Sequence, residues 1–464
     1  MKTSFIGRLL AAFKEPIPAE TRALLVERWG ELPGELKTDW QALGRHLVHC
    51  GYVMGPAYCS FGCTHCYLPK GANRVPLPSL DEMKAQIDAN RRLIGPGGRL
   101  QITGGDVVDA YWRAGRADEL ISIVRHANDV GVVPMLMTHG QVLLEHPEYL
   151  ARLVSEGGLR KVGLHIDITQ AGRPGYPLRG LRSEVDLHPL RKAFVELILR
   201  IRRQTRVALS AAHTVTVTER NLDSIADILR WLIHDPRHLD VFHTVSFQTE
   251  TDVGRTRFSD HPVSPTDVWQ AICAGIKLEL PRDNLWFGHP DCNSVATLLV
   301  LFPARRVINL IPSDVRSRVF WSSLLQHFGG VSARGEYAFE STVRELSILL
   351  RHPSFLLKLV RYSWWRLQRE GLGASGLMSV LSGQARGINV VLHNFMSARD
   401  LAEPRSETVN KRLAACAFRG VVRRGEHWIA VPMCTMNAHH RPHIYAEQIA
   451  ASSRKSNHAA RNMA

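Results

Sequence analysis

From residue 47 to about residue 250 the chain repeats one pattern six times: a short apolar run with strand character, then a stretch with helical spacing. The runs fall at 47–54, 100–103, 132–137, 162–168, 207–217 and 241–247, and a further helix opens at Ser264-Pro265-Thr266-Asp267. Parallel strands need long crossovers, so each helix has to cover a face of the sheet. Right-handed crossovers then turn the sheet one way. The expected fold is α/β, a partial (β/α)6 barrel over 47–283. An N-terminal helical extension (1–46), punctuated by Pro16, Pro18, Pro33 and Gly34, precedes it. After 283 the alternation stops. Residues 296–400 are apolar and basic with helical spacing, so 284–450 is expected to be a helical, cysteine-containing C-terminal domain, and 451–464 a disordered tail.

The first strand runs into Tyr58-Cys59-Ser60-Phe61-Gly62-Cys63-Thr64-His65-Cys66-Tyr67, a C-x3-C-x2-C triplet. Three thiolates this close repel and oxidise unless a metal holds them. Structural zinc takes four protein ligands. No fourth cysteine or acid stands at a suitable spacing, and His65, between two ligands, would have to fold back on itself. A 4Fe–4S cube fits better, because three cysteines hold three irons and leave the fourth open. A zinc knuckle is the lesser alternative.

Gly104-Gly105-Asp106 ends the second strand. Glycines let backbone approach closely, and carbonyls or a carboxylate accept bonds from an ammonium. In 162–168, His165 and Asp167 alternate with apolar residues, which places them on the polar face of that strand. They are candidates to touch cofactor or substrate, or simply to bond each other. Gln248, ending the sixth strand, is a weaker candidate of the same kind. Gly254-Arg255 reads equally as a turn or an anion-binding loop.

The cysteine loop resembles the signature of the radical S-adenosylmethionine (radical SAM) superfamily, C-x3-C-x-aromatic-C, with His65 in place of the aromatic residue. The resemblance implies a cluster on Cys59, Cys63 and Cys66 whose open iron chelates the methionine end of S-adenosylmethionine. It implies one-electron cleavage to a 5′-deoxyadenosyl radical, which abstracts hydrogen from substrate, and an electron donor such as ferredoxin or flavodoxin. It places His65 along the adenine, and Gly104, Gly105 and Asp106 at the cofactor's amino group. The stretches around Cys292, Leu392–Met396, Cys416, Cys434 and Arg441 resemble the subgroup containing archaeal tetraether synthase and related lipid-modifying enzymes. That implies an auxiliary cluster on Cys292, Cys416 and Cys434 and a hydrophobic, lipid-like substrate. The extra N-terminal cysteines of tetraether synthase are missing. No residue is assigned a catalytic role on the substrate.

A net charge of +15 favours an anionic partner: a lipid headgroup surface, a phosphorylated substrate or nucleic acid. No RNA-binding fingerprint supports the last. Eight cysteines in 464 residues do not make a disulfide scaffold, so a reducing, cytoplasmic setting is expected. No apolar run is long enough to span a membrane. Two stretches are amphipathic: Met1 to Lys14, and 344–369. In the second, Arg351, Lys358, Arg361, Arg366 and Arg369 share one side of a helical wheel, and Leu356, Leu357, Val360, Trp364 and Leu367 lie opposite. Peripheral contact with anionic lipid is one expectation for it, and ordinary core packing the other. The functional alternatives are a radical enzyme acting on a hydrophobic substrate, the same chemistry on peptide or RNA, and a non-catalytic iron–sulfur or zinc protein.

Overall fold

The computed structural model describes residues 50–256, 262–282, 285–328, 349–402 and 406–463, with isolated positions before 50 and between 343 and 347. All six expected strands form: β1 (Cys50–Met54), β2 (Arg99–Thr103), β3 (Val133–Thr138), β4 (Lys161–His165), β5 (Ser210–Val217) and β6 (Phe242–Thr249). They pair in chain order, each parallel to the next. The helices between them follow local chemistry. Helix α1 (Leu80–Ile94) starts at Ser79, whose side chain accepts from the Glu82 amide, and buries Met83 and Ile87. Asp106 caps α2 (Val107–Arg113). Helices α3 (Ala117–Asp129), α4 (Pro147–Ser155), α5 (His188–Thr205), α6 (Ile225–His234) and α7 (Pro265–Ile276) complete the set, the last opened by a capping box between Ser264 and Asp267.

The expected helical domain over 284–450 does not form as such. This part adds five strands to the same sheet: β7 (Asn293–Leu301), β8 (Arg306–Asn309), β9 (Ala385–His393), β10 (Phe418–Arg424) and β11 (His427–Pro432). The full order is β11-β10-β1-β2-β3-β4-β5-β6-β9-β7-β8. Strands β9 and β10 continue the parallel run on its two sides, while β7, β8 and β11 are antiparallel. The physical reason is burial. Most of β7 and the C-terminal half of β9 are buried, so each reads as a nearly continuous apolar run, which periodicity does not separate from a helix.

The protein is thus mixed α/β, built on one large, mainly parallel sheet with helices. The sheet curls, because its flanks touch although six strands stand between them. The His393 ring at the end of β9 lies edge-on to Phe418 at the start of β10, 5.2 Å between centroids.

Helices α8 (Val315–Phe328), α9 (Pro353–Arg369) and α10 (Gly373–Leu381) lie between β8 and β9 in the chain, and α11 (Glu407–Ala414) precedes β10. The last helix, α12 (Arg441–Met463), continues through the stretch expected to be disordered. The expected N-terminal extension, including Met1 to Lys14, lies almost wholly outside the described residues. Among the described residues no helix is long and apolar enough to cross a membrane.

Candidate functional site

The cysteine loop leaves the C-terminal end of β1, where parallel sheets place their ligands. Its stem is pinned by the second strand's end: the Gly105 amide donates to Pro56 O at 2.7 Å and the Asp106 amide to Tyr58 O at 2.8 Å. A β-carbon on Gly104 would lie 2.3 Å from Pro56 O, so only glycine lets the two backbones meet there. Asn73 brackets Cys59, accepting from its amide and donating to its carbonyl. Asp109 accepts from the Ser60 amide at 2.9 Å, and the Gly62 amide donates to Ala171 O at 2.9 Å. Phe61 stacks on His139 with centroids 3.8 Å apart. On the far side, Gly254 adopts a left-handed conformation (φ 68°), and its would-be β-carbon falls 2.1 Å from Tyr67 O. Behind it the Arg255 amide donates to Cys66 O at 3.0 Å. Gly254-Arg255 is therefore a turn that closes the cysteine loop from behind.

The three thiols are partly buried and crowded. Burial pushes Cys63 up to about 12, and the neighbouring Cys66 pushes the same way. Cys59 rises further, from burial, then Asp106, then the other two thiols. Arg255 opposes the rise at Cys63. Arg173, itself buried, carries its guanidinium near Cys63 and is held by His139 O, His165 O and Gln170. Cys59 and Cys63 resist ionisation by themselves, and with Cys66 and two guanidiniums beside them they make a donor set for a group that brings its own positive charge and takes thiolates. Among the described residues no three His, Cys, Asp or Glu side chains close on a point that a single ion would occupy. Three thiols on one loop are the donor set that a 4Fe–4S cube with one open iron would take.

His65 spans two segments: Nδ1 lies 3.0 Å from Thr64 Oγ1 in its own loop, and Nε2 lies 3.2 Å from Glu250 Oε2, within ion-pair range but without hydrogen-bond alignment. Asp106 is fully engaged within the protein. Its carboxylate accepts from the Asp109 amide, Thr138 Oγ1 and the His139 amide. The Gly104 carbonyl accepts from Tyr67 OH at 2.8 Å. His165 and Asp167 do bond each other, Nε2 to Oδ2 at 2.7 Å, with Thr216 also in contact with His165. Although Asp167 is buried, His165 and its hydrogen bonds hold the carboxyl below its usual range. Gln248 stands beside His393 in the β6–β9 register.

A second thiol group forms where the sheet flanks meet. Cys292 precedes β7, Cys416 precedes β10 and Cys434 follows β11. Burial pushes Cys434 up to about 12, and both Cys416 and Cys292 add to the rise. Cys434 Sγ accepts from the Met396 amide, and Arg412 lies against Cys292 while donating to Asn394 O. Cys50 and Cys273 belong to neither group: Cys50 is buried in β1, and Cys273 packs on α7.

Sequence reasoning missed Arg173, Glu250, His139 and Arg412. Arg173 and Glu250 lie just after β4 and β6, and their place past the C-terminal ends of parallel strands was the available signal. It also missed the setting of Arg441. This residue is fully buried, has no carboxylate partner among the described residues, and sits in a cage of Tyr67, Tyr52 and Tyr445 (4.7, 5.5 and 5.9 Å) directly under the cysteine loop.

No family model and no curated protein matches the chain. Among solved structures, it is similar to one described as "Native anSMEcpe with bound AdoMet", at 15% identity and TM-score 0.31, over 47% of this chain and 57% of that one. A second, with AdoMet and the Cp18Cys peptide, aligns at 13% identity and TM-score 0.32 over 49% and 59%. A variant of NCR from Zymomonas mobilis aligns at 13% identity and TM-score 0.26 over 50% and 72%. The chain spans less than two thirds of the first two.

Proposed function

We propose that the chain is a radical SAM enzyme on a (β/α)6 partial barrel, acting on an unactivated carbon of a hydrophobic, lipid-like substrate. One observation carries the reading: three crowded thiols on a loop at the C-terminal end of β1, fixed by backbone bonds to β2's end and flanked by Arg173 and Arg255. When bound, the cluster and S-adenosylmethionine supply one-electron cleavage of the sulfur–C5′ bond and hydrogen abstraction from substrate.

The chain's own residues bind and aim. Cys59, Cys63 and Cys66 hold the cluster. Gly104 and Gly105 hold the loop stem in register with β2 and border the cofactor's methionine end, and Asp106 ties that turn to β3. His65, held toward Glu250, borders the cofactor. The His165–Asp167 pair and Gln248 face the same interior. Arg173 and Arg255 balance the negative charge of three thiolates, and an electron donor of ferredoxin or flavodoxin type supplies the electron.

We extend the reading to an auxiliary cluster on Cys292, Cys416 and Cys434. Its support is the mutual proximity of thiols that are far apart in sequence, with Arg412 beside them.

The test is anaerobic reconstitution with iron and sulfide, then reduction with S-adenosylmethionine present. 5′-Deoxyadenosine should form, and the Cys59→Ala, Cys63→Ala, Cys66→Ala triple variant should give none while keeping its circular dichroism spectrum. A non-catalytic binding protein would form none even with all cysteines intact.

A further inference from the structure

Helix α9 leaves much of its apolar side in water. Its buried residues are Phe355, Tyr362, Arg366 and, from the leucine side of its wheel, Leu367 alone. Tyr362 stacks on Phe320 of α8 at 4.0 Å and donates to Ser317 Oγ at 2.9 Å. Arg366, on the wheel's basic side, is buried, where it donates to Asn309 O and pairs with Glu370 at 2.6 Å. These polar anchors fix the rotation of the helix. The opposite side then faces outward with Leu357, Val360 and Trp364, at 60%, 56% and 40% exposure.

Helix α10, packed on α9, is itself partly apolar and exposed. It turns back on α9 by packing Gly376 against Leu367, and exposes Leu377, Met378, Val380 and Leu381. On α8, Val315 and Val319 are exposed as well. Apart from Val26 and Val185, every exposed large apolar side chain among the described residues lies between 315 and 381. Single exposed apolar residues are ordinary, but a concentration on three successive packed helices is the mark of an interaction surface.

Charge identifies the partner. From 351 to 384 the chain carries Arg351, Lys358, Arg361, Arg366 and Arg369 against one acid, Glu370, which is paired with Arg366. Arg351, Lys358 and Arg361 are exposed and have no carboxylate partner among the described residues. Arg316 lies over Trp365 at 4.5 Å. Apolar side chains including a tryptophan, interleaved with unpaired cations and no free acid, match a bilayer interface. The apolar groups enter the acyl boundary while Lys and Arg stems reach back to anionic headgroups.

We propose that the outward faces of α8, α9 and α10 dock the protein peripherally on an anionic membrane surface. This stands independently of the reading of the cysteine loop.

The experiment is flotation of the full chain with vesicles of phosphatidylcholine alone or with one third phosphatidylglycerol. Two variants accompany it: Leu357→Ser, Val360→Ser, Trp364→Ser, and Lys358→Glu, Arg361→Glu. All five side chains are exposed, so both variants should keep the wild-type melting curve. The expected result is binding to the anionic vesicles only, weakened at least tenfold by either variant and by raising salt from 50 to 500 mM. Three outcomes would overturn the proposal. One is no binding to anionic vesicles. Another is binding that the serine variant leaves unchanged, which would reflect the net positive charge alone. The third is self-association that the serine variant breaks without any vesicle binding, which would assign the face to a second copy of this chain.

Discussion

The carbonyl oxygen of Tyr58 lies 2.0 Å from the point where Gly105 would carry a β-carbon. The Gly104-Gly105 turn and the stem of the cysteine loop thus share one volume, and neither can shift without the other. Gly105→Ala must push the stem away from β2 and break the Asp106 N–Tyr58 O bond. Overpacking against backbone costs about 3 kcal/mol. On sequence grounds, a bulky residue here should weaken cofactor binding and spare the iron. The contact with Tyr58 changes that expectation: iron bound after reconstitution should fall by more than half, together with the urea midpoint. Full iron loading in Gly105→Ala would show that the stem tolerates displacement.

Arg191 and Glu184 form a wholly buried ion pair between α5 and the loop after β4. Glu184 also accepts from the Ile168 amide and Asn221 Nδ2, so it ties three segments together. Removing one partner strands a buried charge, at about 3–5 kcal/mol. Arg191→Met should therefore lower the urea unfolding free energy by about 3 kcal/mol. Arg191→Met with Glu184→Leu should cost less than the sum of the single changes, by at least about 1 kcal/mol. Strict additivity would mean that the two side chains do not depend on each other.

His213, on β5 beside this pair, should contribute to the loss of stability in acid, together with His188 and His393, which burial also holds down, to about 4. Burial, then the Arg191 charge, holds the His213 pKa well below 6.5, so it stays neutral in the folded protein. In the unfolded chain it titrates near 6.5. Below that pH the unfolded state binds the extra proton, so stability falls as pH drops through about 6.5 and keeps falling until the folded-state pKa is reached. The urea midpoint should decline between pH 7 and pH 5, above the range where most carboxylates titrate. His213→Gln should reduce that decline, and an unchanged slope would remove His213 as a source.

The six β-then-α units were legible because each strand is short, flanked by turn residues and followed by a helix with a clear apolar stripe. Helix α1, with Ser79 before Met83 and Ile87, shows how local that information is. The cysteine loop was legible for the same reason, since its three cysteines lie within eight residues. Strands β7 and β9 were not, because their apolar runs also fit a buried helix. Helix α9 shows a different limit. A wheel correctly divides Leu357, Val360 and Trp364 from Lys358, Arg361 and Arg366, but which side faces inward is decided by partners such as Phe320 and Asn309, remote in sequence. Arg412 was invisible because an arginine's neighbours in space leave no trace in its neighbours along the chain, whereas Arg173 was marked only by its place past the end of β4.

The last prediction concerns Cys292, Cys416 and Cys434. They stand before β7, before β10 and after β11, on the two flanks of the sheet either side of β1 to β6, and only the curl of the sheet brings them together. Gly288 makes the junction tight: with φ 74° and a would-be β-carbon 2.2 Å from Ala415 O, it locks the segment before Cys292 onto the segment before Cys416. If the three hold a cluster, the protein lacking Cys59, Cys63 and Cys66 should still take up about four irons per chain on anaerobic reconstitution. It should also show a sulfur-to-iron charge-transfer band in the visible spectrum. Adding Cys434→Ala should remove both. Because the thiols are raised by burial and by one another, loading should release protons and weaken as pH falls. Arg412 favours the thiolate form of Cys292, so Arg412→Met should weaken loading at pH 7 more than at pH 9. Near-zero iron in the variant lacking the first three cysteines would make Cys292, Cys416 and Cys434 packing residues where the two flanks of the sheet close.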